Sequence, residues 1–187
     1  MIGTYQFHGP VDFLRMLGYR IPTEADVRAI VLALAGKQQV GIVDYGCGLA
    51  HRTIAVARCL MTRGCSVKLT LVDIRRELHL EFISFLCRKH GIAHEFIEIT
   101  AAQLYPPLPL HDYCDTVSVL EHVREPLRVI ENIHAALQPG GVFLAAVEDE
   151  IDEMMHISAN LKAVRDRLAA LGYQRLAECC GVPLLQK

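Results

Sequence analysis

The stretch Gly41-Ile-Val-Asp-Tyr-Gly-Cys-Gly-Leu-Ala-His51, followed by Leu71-Val-Asp73, decides the fold. Its first half reads as an apolar strand and its second half as a glycine turn, while Asp73 closes another apolar run over Val67 to Val72. Gly46 and Gly48 let the backbone turn sharply and approach a ligand, and a helix beginning near Ala50 aims its free N–H groups at the same place. An acid at the end of the second strand of a doubly wound sheet stands where ribose hydroxyls are held. The pattern predicts a nucleotide cradle, with Asp44, Gly46, Cys47 and Gly48 in the turn and Asp73 and Ile74 on the ribose side.

The glycine spacing discriminates between cofactors. A dinucleotide fingerprint places its third glycine at position 51, which is His51, and an imidazole there obstructs close packing of helix on strand. NAD is therefore not expected. The spacing G-x-G-x-G, with an acid two residues ahead of the first glycine, fits Asp44, Gly46, Gly48 and, with one methyl group of departure, Ala50.

On these residues the chain resembles the class I S-adenosylmethionine-dependent methyltransferases. The resemblance continues in order through Asp115-Thr-Val-Ser-Val-Leu-Glu-His-Val123 and Leu137-Gln-Pro-Gly-Gly-Val-Phe-Leu144, similar to that family's fourth-strand and fifth-strand segments, so that it spans about residues 40 to 150. It implies an α/β fold with a doubly wound, mainly parallel sheet, helices on both faces and a short antiparallel C-terminal end. The expected organisation is one domain over residues 1–187: an N-terminal helical cap (1–38), a cofactor-binding core (39–150) and a C-terminal helix and strand region (151–187).

The element order agrees. Apolar runs near 40–45, 67–72, 94–99, 115–120, 142–147 and 173–179 read as strands, and Arg52 to Thr62, Glu77 to His90 and Pro126 to Leu137 carry helical spacing between them. Pro139-Gly140-Gly141 reads as the turn into the fifth strand, Lys162 to Leu171 as a further helix closed by Gly172, and Gly181-Val-Pro183 as a turn into a short last strand. Ahead of the sheet, Pro10 to Leu17 and Glu24 to Ala35 read as helices, the second capped by Thr23 with Asp26 three residues on. Tyr5, Phe7 and His8 precede them as either a substrate lid or an exposed terminus.

Composition narrows the partners. The 187 residues are 52% hydrophobic and 21% charged with a net charge of −2, and there is no lysine or arginine run to capture a nucleic acid. Zero Trp and 6% aromatics leave few platforms for stacking bases. The longest apolar runs, Ala29 to Ala35 and Val142 to Val147, fall well short of the roughly 18 residues a membrane span needs. No signal peptide is read at the N-terminus. Seven cysteines, an odd number without a CxxC pair, suggest a reduced, cytoplasmic protein. A mean hydropathy of +0.26 leaves apolar surface for a ligand or for a homodimer contact.

The resemblance assigns roles. Asp44 and the Gly46 to Gly48 turn face the amino-acid end of S-adenosylmethionine, and Thr100 and Ala101 stand where many relatives carry an acid that contacts adenine. A competing role for Asp73 is to cap a helix at Arg75 to Leu78. Ser118 to His122 follow the expected fourth strand, which makes Glu121 and His122 the catalytic candidates, His122 as general base and Ser118 beside the cofactor. Glu121, His122 and His156 are also similar to part of the metal site of small-RNA 3′-terminal 2′-O-methyltransferases, with Ser118 in place of an earlier glutamate; a divalent metal stays open on that ground. The acidic run Glu148, Asp149, Glu150, Asp152 and Glu153 reads as a solvated loop or a cation-attracting rim.

The first expectation is an S-adenosylmethionine-dependent methyltransferase of a small-molecule acceptor. The alternatives are a metal-assisted RNA 2′-O-methyltransferase and a non-catalytic nucleotide-binding regulatory module, the latter kept open by the departures at Ala50 and Thr100.

Overall fold

A computed structural model describes residues 10–18, 21–147, 161–179 and 181–187. Helices α1 (Pro10–Leu17) and α2 (Glu24–Ala33) precede an alternation of β1 (Gln39–Tyr45), α3 (His51–Thr62), β2 (Ser66–Asp73), α4 (Glu77–Lys89) and β3 (Ala93–Glu98). Then come β4 (His111–Thr116), a 3₁₀ turn (Leu120–His122), α5 (Pro126–Ala136), β5 (Leu137–Ala145), α6 (Lys162–Ala170), β6 (Gln174–Cys179) and β7 (Val182–Gln186).

The strands form one sheet in the order β3-β2-β1-β4-β5-β7-β6. The first five are parallel to their neighbours, while β7 runs antiparallel between β5 and β6. From β1 the chain winds outward through β2 to β3, then returns to β4 on the other side of β1. The β1–β4 seam is thus the switch point, and the crevice beyond its carboxyl ends is where such sheets bind ligands. Two apolar layers cover the faces. Ile42, Leu69 and Tyr113 pack with Ile54 and Leu60 of α3, Ile83 of α4 and Ile30 of α2. Val43, Cys114 and Phe143 pack with Ile130 and Ile133 of α5 and Leu168 of α6. Burying both faces explains why β1 reads as a nearly continuous apolar run, while β2 alternates with the exposed Lys68 before its buried end.

The capping box ahead of α2 forms as the sequence predicts. The Thr23 hydroxyl accepts from the Asp26 N–H at 3.2 Å, and the Asp26 carboxylate accepts from the Thr23 N–H at 2.9 Å.

The fourth strand differs from its expected position at 115–120. It runs four residues earlier, through His-Asp-Tyr-Cys-Asp-Thr, and all six residues are buried. The apolar signal of Val117 to Leu120 belongs to the turn that follows, where Ser118 takes a left-handed conformation at φ +60°. Polar residues can fill this buried strand because Lys37, Gly41 and Arg52 arrive to pair its aspartates, while His111 bonds locally. Asp112 accepts from the Gly41 N–H at 2.9 Å and pairs with Lys37, and His111 Nδ1 lies 2.8 Å from the Pro109 carbonyl. Likewise β5 already begins at Leu137, so Pro139-Gly140-Gly141 is a kink within it, held by reciprocal bonds between Gly140 and Gly141 and the Lys187 backbone.

Candidate active site

The turn after β1 is drawn against its neighbours from two sides. The Gly46 N–H donates to the Val72 carbonyl at 2.7 Å, tying the turn to the end of β2. Gly46 adopts φ +76°, and a Cβ added there would collide with the side chain of Val119 in the loop after β4. Only glycine fits, for backbone and for space. Ala50, the departure from the glycine pattern, sits at φ +53° just ahead of α3, so its methyl is carried in a backbone conformation that costs roughly 1–2 kcal/mol.

Asp73 braces the same turn. Its Oδ2 accepts from the Gly48 N–H at 2.9 Å and its Oδ1 from the Ile74 N–H at 2.7 Å, while the Cys47 thiol lies 3.9 Å from Oδ2. Helix α4 begins with Arg76 at the cap position and no side-chain cap bond, so the competing cap role for Asp73 is not realised. Burial, followed by Asp73 and then Asp44, pushes the Cys47 thiol well above its ordinary range, which keeps it un-ionised and a poor nucleophile.

Thr100 and Ala101 follow β3. The Thr100 hydroxyl and carbonyl both accept from the Gln103 N–H at 3.1 Å, so the side chain stabilises its own turn. Glu98 is half-exposed and 3.8 Å from Arg75.

Beneath the turn lies a buried polar network that sequence reading did not anticipate beyond Asp44. Asp44 and Asp115 are partners across the β1–β4 seam, and both are buried. Arg52, in the first turn of α3, places its guanidinium 3.0 and 3.1 Å from the two oxygens of Asp115, which also receives the Tyr113 hydroxyl at 2.9 Å. Thr53 meets Asp44 at 2.5 Å. Desolvation first and Asp115 second raise the Asp44 carboxyl well above the usual carboxylate range. Charged and hydroxyl residues entering a helix directly after a glycine turn, as Arg52 and Thr53 do, were the available signal.

Of the catalytic candidates, the structure brings Glu121 and His122 together in the 3₁₀ turn. His122 Nε2 lies 3.7 Å from Glu121 Oε1, and Glu121 is 3% exposed. Ser118 and Val119 join this turn to β4, against the glycine turn of β1. His156, the acidic run from Glu148 to Glu153, and Tyr5, Phe7 and His8 lie outside the described residues. Among the described residues no three His, Cys, Asp or Glu side chains gather as metal ligands.

Helix α1 lies over the cradle. Met16 Cε lies 2.9 Å from where a Cβ on Gly48 would stand, and Phe13 packs edge-on against Phe82 of α4 at 5.3 Å. His79 lies beside the backbone of Gly48 and His51 beside that of Met16.

A family model described as a methyltransferase domain matches residues 19–183. The chain belongs to this methyltransferase family. A ubiquinone biosynthesis O-methyltransferase of Pseudomonas aeruginosa (strain LESB58) is 34% identical over 116 residues, covering 61% of this chain and 46% of that protein. A trans-aconitate 2-methyltransferase of Rhodopseudomonas palustris (strain BisB18) is 28% identical over 116 residues, covering 62% and 41%. The matched stretch thus spans about half the length of these curated relatives. In fold, the methyltransferase domain superposes on a SAM-dependent methyltransferase from Geobacter sulfurreducens, solved with S-adenosyl-L-homocysteine, with a TM-score of 0.61 at 18% identity over 95% of this chain and 74% of that one. A second such complex, from Thiobacillus denitrificans, gives a TM-score of 0.61 at 19% identity, over 91% and 73%. The expected doubly wound α/β methyltransferase-like fold is the observed one.

Proposed function

We propose that this methyltransferase domain binds S-adenosylmethionine at the β1–β4 switch point and transfers its methyl group to an oxygen of a small-molecule acceptor. The observation that carries the reading is the Gly48 to Asp73 hydrogen bond: it holds the glycine turn and a carboxylate side by side at the carboxyl ends of β1 and β2. The residues present suit the cofactor: beyond the bonds it takes from the Gly48 and Ile74 N–H groups, the Asp73 carboxylate keeps acceptor capacity for ribose hydroxyls at the carboxyl end of β2.

When bound, the cofactor supplies a methyl group activated on a sulfonium. The chain's own work is then positioning and proton removal. In this reading Asp73 accepts from ribose hydroxyls, Ile74 and the Thr100–Ala101 turn flank the base, and Asp44, Cys47 and Ser118 line the amino-acid side. His122 takes the acceptor's proton and Glu121 orients its ring. The small-acceptor reading is supported by the names of the relatives, a ubiquinone-biosynthesis O-methyltransferase and a trans-aconitate methyltransferase, and by the absence of a basic run in the sequence. A cytoplasmic setting belongs to the same reading and is supported by six free cysteines among the described residues.

The test is calorimetric titration of chelator-treated protein with S-adenosylhomocysteine and with NAD, followed by turnover on panels of small phenols and polycarboxylates. Saturable binding of the first alone, unchanged by added divalent metal, is expected; no binding of S-adenosylhomocysteine overturns the reading. His122→Ala should lower turnover far more than affinity, and an unaffected rate removes it as the base.

A further inference from the structure

The β1–β4 seam buries two acids, and one guanidinium is paired with the second of them. Asp44 and Asp115 stand opposite each other on paired strands, 7% and 4% exposed, and Arg52 is committed at 3.0 and 3.1 Å to the two oxygens of Asp115. Asp115 is further held by the Tyr113 hydroxyl at 2.9 Å and the Val117 N–H at 3.1 Å. Asp44 instead meets the hydroxyl of Thr53. That hydroxyl lies 2.5 Å from Asp44 Oδ2 and 3.2 Å from the Ala50 carbonyl, two acceptors for a single proton if Asp44 is a carboxylate. If Asp44 is a carboxylic acid, both contacts are satisfied at once: Asp44 donates to Thr53 and Thr53 donates to Ala50.

The surroundings favour the acid. The charged and titratable groups around Asp44 are Asp115, Tyr113 and Cys114 from β4, Asp73 from β2, Arg52 from α3 and Cys47 of the turn; burial and Asp115 outweigh Arg52. Among the described residues the two seam acids, Asp44 and Asp115, share one guanidinium, so that pair lacks one positive charge, beside the turn assigned to the amino-acid end of the cofactor.

We propose that Asp44 is a proton-exchanging group of the cradle, holding a proton while the cradle is empty and releasing it to solvent when a nucleoside bearing an ammonium group is bound. The O–H bond of Asp44 breaks, the carboxylate remains, the buffer takes the proton, and the ligand's ammonium supplies the missing positive charge. The inference rests on the cofactor reading above and deepens it: affinity for the amino-acid-bearing nucleoside rises with pH through the range in which Asp44 titrates, whereas affinity for a nucleoside lacking that tail does not.

The experiment is calorimetric titration of the full chain with S-adenosylhomocysteine at neutral pH in phosphate and in Tris, whose ionisation heats differ. Release approaching about one proton per site is expected, with none for 5′-methylthioadenosine, which lacks the amino acid, and none for the isosteric Asp44→Asn. Infrared difference spectra should show a protonated-carboxyl band lost on binding, absent in Asp44→Asn. Binding of S-adenosylhomocysteine without buffer-dependent heat, or equal release by 5′-methylthioadenosine or Asp44→Asn, overturns the proposal while leaving the cofactor reading standing. Absence of binding overturns the cofactor reading and this one with it.

Discussion

The backbone N–H of Gly48 donates to the carboxylate of Asp73 at 2.9 Å, which fastens the turn after β1 to the end of β2. The carboxylate therefore shapes the turn itself, in addition to the ribose role proposed for it. Replacing it removes a charge-assisted bond of about 1.5–3 kcal/mol along with the proposed ribose contact. Asp73→Ala is expected to weaken S-adenosylhomocysteine binding by roughly tenfold or more in a calorimetric titration. Unchanged affinity would remove Asp73 from the site.

Gly46 and Gly48 differ in what surrounds them. A methyl group at Gly46 meets the branched carbons of Val119, whereas one at Gly48 meets the terminal carbon of the flexible Met16. Gly46→Ala should lose about 1–3 kcal/mol to overpacking beyond the left-handed backbone strain common to both sites. Urea unfolding should rank Gly46→Ala well below Gly48→Ala, with Val119→Ala restoring part of the difference. The reverse ranking would contradict the observed packing.

The ion pair between Arg52 and Asp115 is buried on both sides, with side chains 8% and 5% exposed. Removing one partner leaves a charge without compensation in a dry seam, a loss of about 3–5 kcal/mol. Arg52→Met should show it. Adding Asp115→Asn, which keeps an acceptor for Tyr113 and Val117, should recover most of that loss; strictly additive losses would mean the two residues are not coupled.

Three imidazoles, His51, His79 and His111, are held neutral, each chiefly by burial, which lowers its proton affinity below the ordinary histidine range. The unfolded chain binds protons at these positions below about pH 6.5, whereas the folded chain resists them, so stability is present above that pH and declines as pH falls through the lowered values. Melting temperatures measured from neutral to mildly acidic pH should fall. His111→Asn, which retains a donor for the Pro109 carbonyl but does not titrate there, should flatten the decline. An acid limb identical to that of the parent protein would exclude His111 as a contributor.

Element order, the glycine turn and both sheet faces were legible in the sequence because they rest on local chemistry. Apolar runs must be covered, and the left-handed turn at Gly46 and Gly48 needs residues without a Cβ. Helix boundaries followed to within about two residues of expectation for the same reason. The strand His111–Thr116 was not legible: its apolar content is low, and its place in the core depends on Lys37, Gly41 and Arg52 arriving from elsewhere in the chain. Nor was the seam network, whose acids and guanidinium are brought together by strand order. The sequence by itself determined the doubly wound fold and the glycine turn after its first strand, since both follow from residue spacing. Only the tertiary structure decided which polar residues are buried and how their charges balance, because a carboxylate's proton affinity is set by the water it loses and by charges brought beside it through chain crossings that local spacing does not encode.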